Sequence, residues 1–349
     1  MKRRDFMRLA AASTLIAAAP AARATAADGW RTFELRYEVD LSAHAGAGRL
    51  WLPLPQDAPG FQRVVSIDRV SAPADAAIRR DTDYGAAIFS AAWDRDARER
   101  AVVVRALVAT RDRERGETKP SAADAEAARR YLAPTTHMPN DGVVAATANR
   151  IVAGIQDPDL RARAIYDWVV DHSFRNPKTR GCGLGDIKFM LETGDLGGKC
   201  ADINSLFVGL ARAAGLPARE LYGVRVAESR LFKSLGKGGG DVSKAHHCRA
   251  EYFSPRFGWV GVDPADVRKA VLEESLPLAD ARIVALRERL FGHWEMNWVG
   301  FNSARDFTLA PAASGPVPYL MYPYAEFGDA VLDGREPEKF AYRIVSRAS

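Results

Sequence analysis

Three residue types with complementary chemistry stand far apart in this chain: a cysteine at 200, adjacent histidines at 246 and 247, and an aspartate at 263. A thiol becomes a good nucleophile at neutral pH when a base within hydrogen-bond reach takes its proton. An imidazole serves as that base best when a carboxylate fixes its tautomer and stabilises the imidazolium. Cys, His and Asp in these roles would attack an amide or thioester carbonyl and form an acyl-enzyme. Each residue alone has an ordinary explanation, since a free cysteine often fills a gap as a small hydrophobe and a lone histidine is usually a satisfied polar residue. The conjunction is what points to chemistry.

The elements that must position them can be read from their periods. In GGKCADINSLFVGLARAAGLPAR, residues 197–219, the apolar positions Ile203, Leu206, Phe207, Leu210, Ala211 and Ala214 recur three and four apart. This spacing predicts an amphipathic helix with one buried stripe, stopped by Gly215 and Pro217. Cys200 then lies in the first turn, where unpaired N–H groups and the positive end of the dipole favour a thiolate. Its own N–H is a candidate oxyanion donor, and Trp168 is the guess for a second.

Downstream the period becomes two. HHCRAEYF and WVGVD, separated by SPRFG, predict a hairpin that brings residues near 247 opposite those near 263. The turn length fixes which side chains share a face, so position alone does not choose between His246 and His247. KSLGKGGGDVSK, just before the histidines, reads as a mobile loop that could be a lid or only a connector.

The rest of the chain divides by pattern. Residues 30–110 alternate apolar and polar in several short runs, RTFELRYEVDL among them, which predicts an antiparallel β-sandwich. The prolines of WLPLP, residues 51–55, suggest an edge strand. A mixed-charge linker and a helix occupy 111–140. Residues 141–270 hold helices, one starting at Asp157-Pro158 as cap and first helical residue, followed by the Cys helix and the hairpin. Residues 271–349 read as an extension packing on this core, in which Trp298, Asn302 and Tyr322 could wall a groove but have packing as the commoner role. FAYRIVS at its end predicts a strand added to a neighbouring sheet. The fold class expected is α+β.

Residues 1–24 combine Arg3-Arg4, an alanine-rich apolar stretch and a small-residue ending, Ala22-Arg23-Ala24, resembling a twin-arginine export signal. The expected location is the periplasm or outside the cell. This segment carries five cations and one acid, a net of +4, so of the chain's formal +5 only about +1 belongs to the remainder. No basic stripe with interleaved aromatics supports nucleic-acid binding, and no second long apolar run suggests a membrane span. Three cysteines are too few for a disulfide framework, although Cys182 and Cys248 could pair. No HExxH, CxxC or EF-hand spacing points to a metal, and no cofactor is expected.

GGKCADINSLFVGLARAAGLPAR followed by HHCRAEYFSPRFGWVGVDPAD resembles the transglutaminase-like superfamily. The superfamily's papain-like core, helices packed on an antiparallel sheet, carries a Cys, His, Asp triad in that chain order. Its pattern His-x-Trp-x-Glu, then Gly-Trp-x-x-Val-Asp-Pro, reads here His247-Cys248-Arg249-Ala250-Glu251, then Gly258-Trp259-Val260-Gly261-Val262-Asp263-Pro264. The resemblance therefore implies Cys200 as nucleophile, His247 as base and Asp263 as its orienting group, with Arg249 where tryptophan is usual. It implies a protein, peptide or cell-envelope amide as substrate, with water preferred to an amine as acyl acceptor. An exported binding module with an unused triad is the competing expectation.

Overall fold

The computed structural model describes residues 29–349 apart from 117–118 and 311–312. The export-signal reading, on residues 1–24, lies outside the described residues. The architecture is α+β, two antiparallel five-stranded sheets facing each other beside a helix-covered four-stranded sheet.

The first sheet orders its strands 240–241, 342–348, 31–40, 101–110 and 62–71, and the second orders them 330–332, 324–327, 48–53, 87–93 and 77–80. Strand Arg31–Asp40 shows why the sandwich forms: Phe33, Leu35, Tyr37 and Val39 are buried while their neighbours are at most partly so, the period of two that a half-buried strand requires. They meet Leu50, Leu52 and Phe89 from the opposite sheet in one apolar core.

Four of the ten strands come from outside residues 30–110. Tyr342–Ala348 pairs antiparallel with Arg31–Asp40, and Tyr324–Phe327 pairs with Gly48–Pro53. The extension therefore does more than pack on the core, because its last residues complete both sheets of the sandwich. Gly48–Pro53 is thus an interior strand, not an edge. Pro53 is tolerated because it is the strand's last residue, and Leu54 N–H resumes bonding to the Ala87 carbonyl.

The third sheet orders strands Gly258–Val262, His246–Ser254, Ala218–Arg225 and Trp298–Asn302, all antiparallel. Helix Cys200–Ala213 packs across it, and helices Gly142–Ile151 and Pro158–His172 cover that helix in turn. Thirteen of the fourteen residues of Cys200–Ala213 are buried, so the expected single stripe widens to the whole circumference. Val224, Val226, Val299 and Phe301 join the sandwich core from the far side of this sheet. The sheet thus has a core on each face, one shared with the sandwich and one with the helices.

Candidate active site

The Cys200 helix begins where the preceding loop is folded under it. Asp202 accepts from the backbone N–H groups of Leu184 (3.0 Å), Gly185 (2.9 Å) and Lys199 (3.0 Å), tying the loop through Cys182 to the helix start. This close approach explains the glycines before Cys200: a Cβ on Gly198 would lie 2.4 Å from the Asp202 Cβ. Gly183 has φ +94° and likewise presses on the Asp202 carboxylate. Below the helix a buried network of Ser205, Glu220, Tyr222 and Arg305 holds its underside, with Ser205 Oγ donating to Glu220 Oε1 at 2.6 Å and Arg305 Nε donating to Glu220 Oε2 at 3.0 Å.

The hairpin register settles which histidine faces Asp263. Ser254 pairs with Gly258 and Ala250 with Val262, and Gly258 at φ +68° takes the left-handed position of the short loop. Extended one step, that register sets Asp263 across from Arg249, with His247 two positions along the same face and His246 on the other. His247 Nε2 and Asp263 Oδ2 are 2.8 Å apart, both residues buried. Asp263 also caps helix Pro264–Glu273, accepting from Asp266 N–H at 3.1 Å through its other oxygen, so the cap fixes the carboxylate's direction. The Cys200 thiol lies close enough to His247 for the imidazole to act on its ionisation.

Their electrostatics run in opposite directions. Burial raises the Cys200 thiol pKa, but hydrogen bonds from Cys182, Cys248 and His247 and the imidazole's charge outweigh it and hold the thiol well below its ordinary range. Burial and Arg225 lower His247, while Asp266 and Asp263 raise it further, leaving the imidazole above its usual value. A lowered thiol beside a raised imidazole favours the thiolate–imidazolium pair. Burial and the Asp266 charge lift Asp263, whereas Asp266 is held far down by Arg225, His247, Lys269 and Arg249 against burial.

His247, Asp263 and Asp266 put donor atoms within 4.8 Å of one another, a set that a cation could otherwise occupy. Here arginines supply the positive charge: Arg225 Nη2 lies 2.5 Å from Asp266 Oδ1 and Arg249 Nε lies 3.7 Å from Asp263 Oδ2. Arg249 donates to the Glu295 carbonyl at 3.0 Å and lies over the Trp298 ring at 5.0 Å. An indole is supplied instead by Trp298, two strands away in the same sheet, whose Nε1 donates to the His247 carbonyl at 2.9 Å. Trp298 and Asn302 are packing residues, whereas Tyr322 lines the cavity beside Cys200 with its ring 4.4 Å from His246. Trp168 stacks on His172 and is not in the cavity wall.

Cys182, Cys200 and Cys248 are all free and buried. Cys182 and Cys248 are not paired with each other, and the Cys182 thiol donates to the His246 carbonyl at 3.3 Å. Their own thiols are pushed well up, Cys182 by the neighbouring Cys200 and then by burial, Cys248 by burial first. Asn204, one helical turn after Cys200, donates to the Cys248 carbonyl at 2.9 Å and to Asp263 Oδ1 at 3.3 Å, and accepts from Ala265 N–H at 3.3 Å. It clamps the three elements together. Sequence reasoning passed over it, although a polar residue four positions from the cysteine shares its helix face.

Cys200 and His247 open onto a cavity of about 760 Å³. Its walls come from the glycine-rich loop, the turn before His246 and the C-terminal segment around Arg335–Arg343. The loop is tethered at several points: Asn297 donates to the Leu235 carbonyl at 3.1 Å, Lys269 to the Ser234 carbonyl at 2.5 Å, and Gly240–Asp241 pairs with the final strand.

The sequence matches the Transglutaminase-like superfamily over residues 145–264, an interval that includes Cys200, His247 and Asp263. An uncharacterized protein of Haemophilus influenzae is 38% identical over 320 residues, covering 86% of each chain. A crystal structure of a candidate cysteine protease from Cytophaga hutchinsonii aligns over 91% of both chains with a TM-score of 0.53 and 13% identity, a likeness of fold. The periplasmic domain of TgpA from Pseudomonas aeruginosa aligns over 70% of this chain and 91% of its own, with a TM-score of 0.35 and 18% identity.

Proposed function

We propose, from the premise that this chain belongs to the transglutaminase-like superfamily, that it is a cysteine enzyme cleaving amide bonds of a peptide or cell-envelope substrate. Cys200 is the nucleophile, His247 the base and then the acid, and Asp263 the group that orients and stabilises the imidazolium. The observation that carries this reading is the hydrogen bond between imidazole and carboxylate beside a thiol that shares the cavity wall with the imidazole, with the thiol's pKa lowered and the imidazole's raised.

The Cys200 thiolate attacks the amide carbonyl carbon, a C–S bond forms and the carbonyl electron pair moves onto oxygen. The N–H of Cys200 at the helix start is the donor assigned to that oxyanion, since the next N–H, of Ala201, is occupied by the Cys182 carbonyl at 2.8 Å. Collapse breaks the C–N bond, and the amine leaves with the proton from the His247 imidazolium. A water molecule then gives its proton to His247 as its oxygen attacks the thioester, and collapse releases the carboxylic acid and restores the thiolate. Water is the acceptor favoured by the fold likeness to a candidate cysteine protease. Residues 1–24 support action outside the cytoplasm.

Cys200→Ala should abolish covalent labelling by an acyl-type probe and leave the circular dichroism spectrum unchanged. Equal labelling of the folded variant would remove the role given to this thiol.

A further inference from the structure

The mechanism above uses the thiol and the imidazole of the cavity wall and leaves the rest of that wall unexplained. That wall carries eight lysines and arginines against two carboxylates, Asp241 and Glu338. Both acids are already engaged, Asp241 with Arg343 at 3.4 Å and Glu338 with Lys244 at 2.6 Å. Outside the wall, Glu273 lies 3.7 Å from Lys269 and 3.9 Å from Arg175, Asp266 pairs with Arg225 at 2.5 Å and Asp333 with Arg335 at 2.8 Å. Among the described residues, Lys199 and Lys237 have no carboxylate within ion-pair distance, and Lys199 is the residue immediately before the nucleophile.

A second observation points the same way. His246 is only 8% exposed and lines this cavity, yet neither ring nitrogen makes a hydrogen bond of ordinary geometry among the described residues. Its polar neighbour is the Ser243 backbone, and its ring rests on Tyr322. Burying such a group unsatisfied costs about 1–3 kcal/mol, a cost a bound ligand would remove. Desolvation holds the imidazole neutral, with a pKa lowered to about 4, so at neutral pH it offers one N–H donor and one acceptor nitrogen.

We infer that the cavity recognises a carboxylate carried by the amide substrate, with Lys199 and Lys237 supplying the charge and His246 a hydrogen-bond donor; this rests on the function proposed above. The ligand chemistry is a peptide-type amide bearing an acidic side chain or a free chain-terminal carboxylate. A cleft lined by one sign of charge focuses its field and raises the encounter rate of an oppositely charged ligand, by tenfold or more at low salt.

Iodoacetate and iodoacetamide differ only in a carboxylate against an amide and both alkylate thiolates, so the test is the ratio of their rates at Cys200, normalised to free cysteine. The expected normalised ratio is at least about 10 at low ionic strength, falling several-fold in Lys199→Gln, in the more exposed Lys237→Gln and at high salt. Two further pairs locate the carboxylate: chloromethyl ketone peptides with Glu or Gln beside the reactive group, and peptide electrophiles ending in a free acid or an amide. A preference for the acid member in either pair supports the inference and identifies the source. A normalised ratio near 1, or one that both lysine variants leave unchanged, overturns it while Cys200 still reacts. Failure of both reagents to modify Cys200 overturns the proposed function itself, and this inference with it.

Discussion

The sandwich and the Cys–His half of the molecule bury their interiors by different means. Between the five-stranded sheets the core is Phe33, Leu35, Leu50, Leu52, Phe89 and their largely apolar neighbours, held chiefly by buried area. Around the Cys200 helix the interior also contains Glu220, Arg225, His247, Arg249, Glu251, Asp263, Asp266 and Arg305. Glu251 is met by both Arg113 and Arg219, Glu220 by Arg305, and Asp266 by Arg225. Replacing a buried ion pair by apolar residues is often neutral, whereas removing one partner is not. Such an interior fixes where each charge points, which a reacting site needs.

The comparison breaks most visibly through one-sided removal of a charge. Arg305→Met leaves Glu220 buried and unpaired and should cost about 3–5 kcal/mol in urea unfolding. Leu35→Met, which nearly conserves volume in the sandwich, should cost less than about 1.5 kcal/mol. Similar costs for the two would dissolve the distinction between the halves.

Adjacent histidines sharpen it further. His246, whose burial outweighs the Ser243 backbone and the Cys200 charge, has a folded pKa of about 4, below the unfolded value of about 6.5. The unfolded chain therefore binds more protons between these values, and this residue's contribution to stability is present above that window and is lost as pH falls from 6.5 towards 4. Its slope is at most about 1.4 kcal/mol per pH unit. His247 is raised, so its contribution has the opposite sign, present at low pH and lost as pH rises through its folded value. His246→Gln should flatten the loss of stability on acidification relative to the native chain, read by unfolding at a series of pH values. An unchanged slope would mean that His246 titrates normally.

Gly198→Ala should have a smaller effect. Its added methyl meets Asp202 at 2.4 Å and should cost about 1–3 kcal/mol while displacing the start of the Cys200 helix. Thermal unfolding together with the alkylation rate at Cys200 checks both effects, and a variant unaltered in both would show that the loop is not pressed against Asp202.

These differences also explain what the sequence made legible. Alternation in RTFELRYEVDL predicts a strand because one face meets apolar core, but it does not say that Tyr342–Ala348 will be its neighbour. The same non-local pairing turned the expected edge at WLPLP into an interior strand. The Cys200 helix was legible from its apolar spacing, while the burial of Asp202, Asn204 and Ser205 was not, because polar residues look exposed until their partners in other elements are known. The hairpin brought His and Asp together on paper; the register that selects residue 247 depends on a turn whose length sequence leaves open. Asp263-Pro264 repeats the cap-and-proline signal of Asp157-Pro158 and could have located helix Pro264–Glu273. Cys182 and Tyr322 come to Cys200 through tertiary folding alone.

The pH dependence of iodoacetamide alkylation, mapped separately to Cys182, Cys200 and Cys248 by mass spectrometry, tests most directly whether Cys200 is an activated thiolate. Cys200 should react well below the ordinary thiol range near 8.5, the other two should resist, and His247→Ala should return Cys200 towards that range. A Cys200 profile that rises only through that ordinary range, and does so equally with and without His247, would contradict the account.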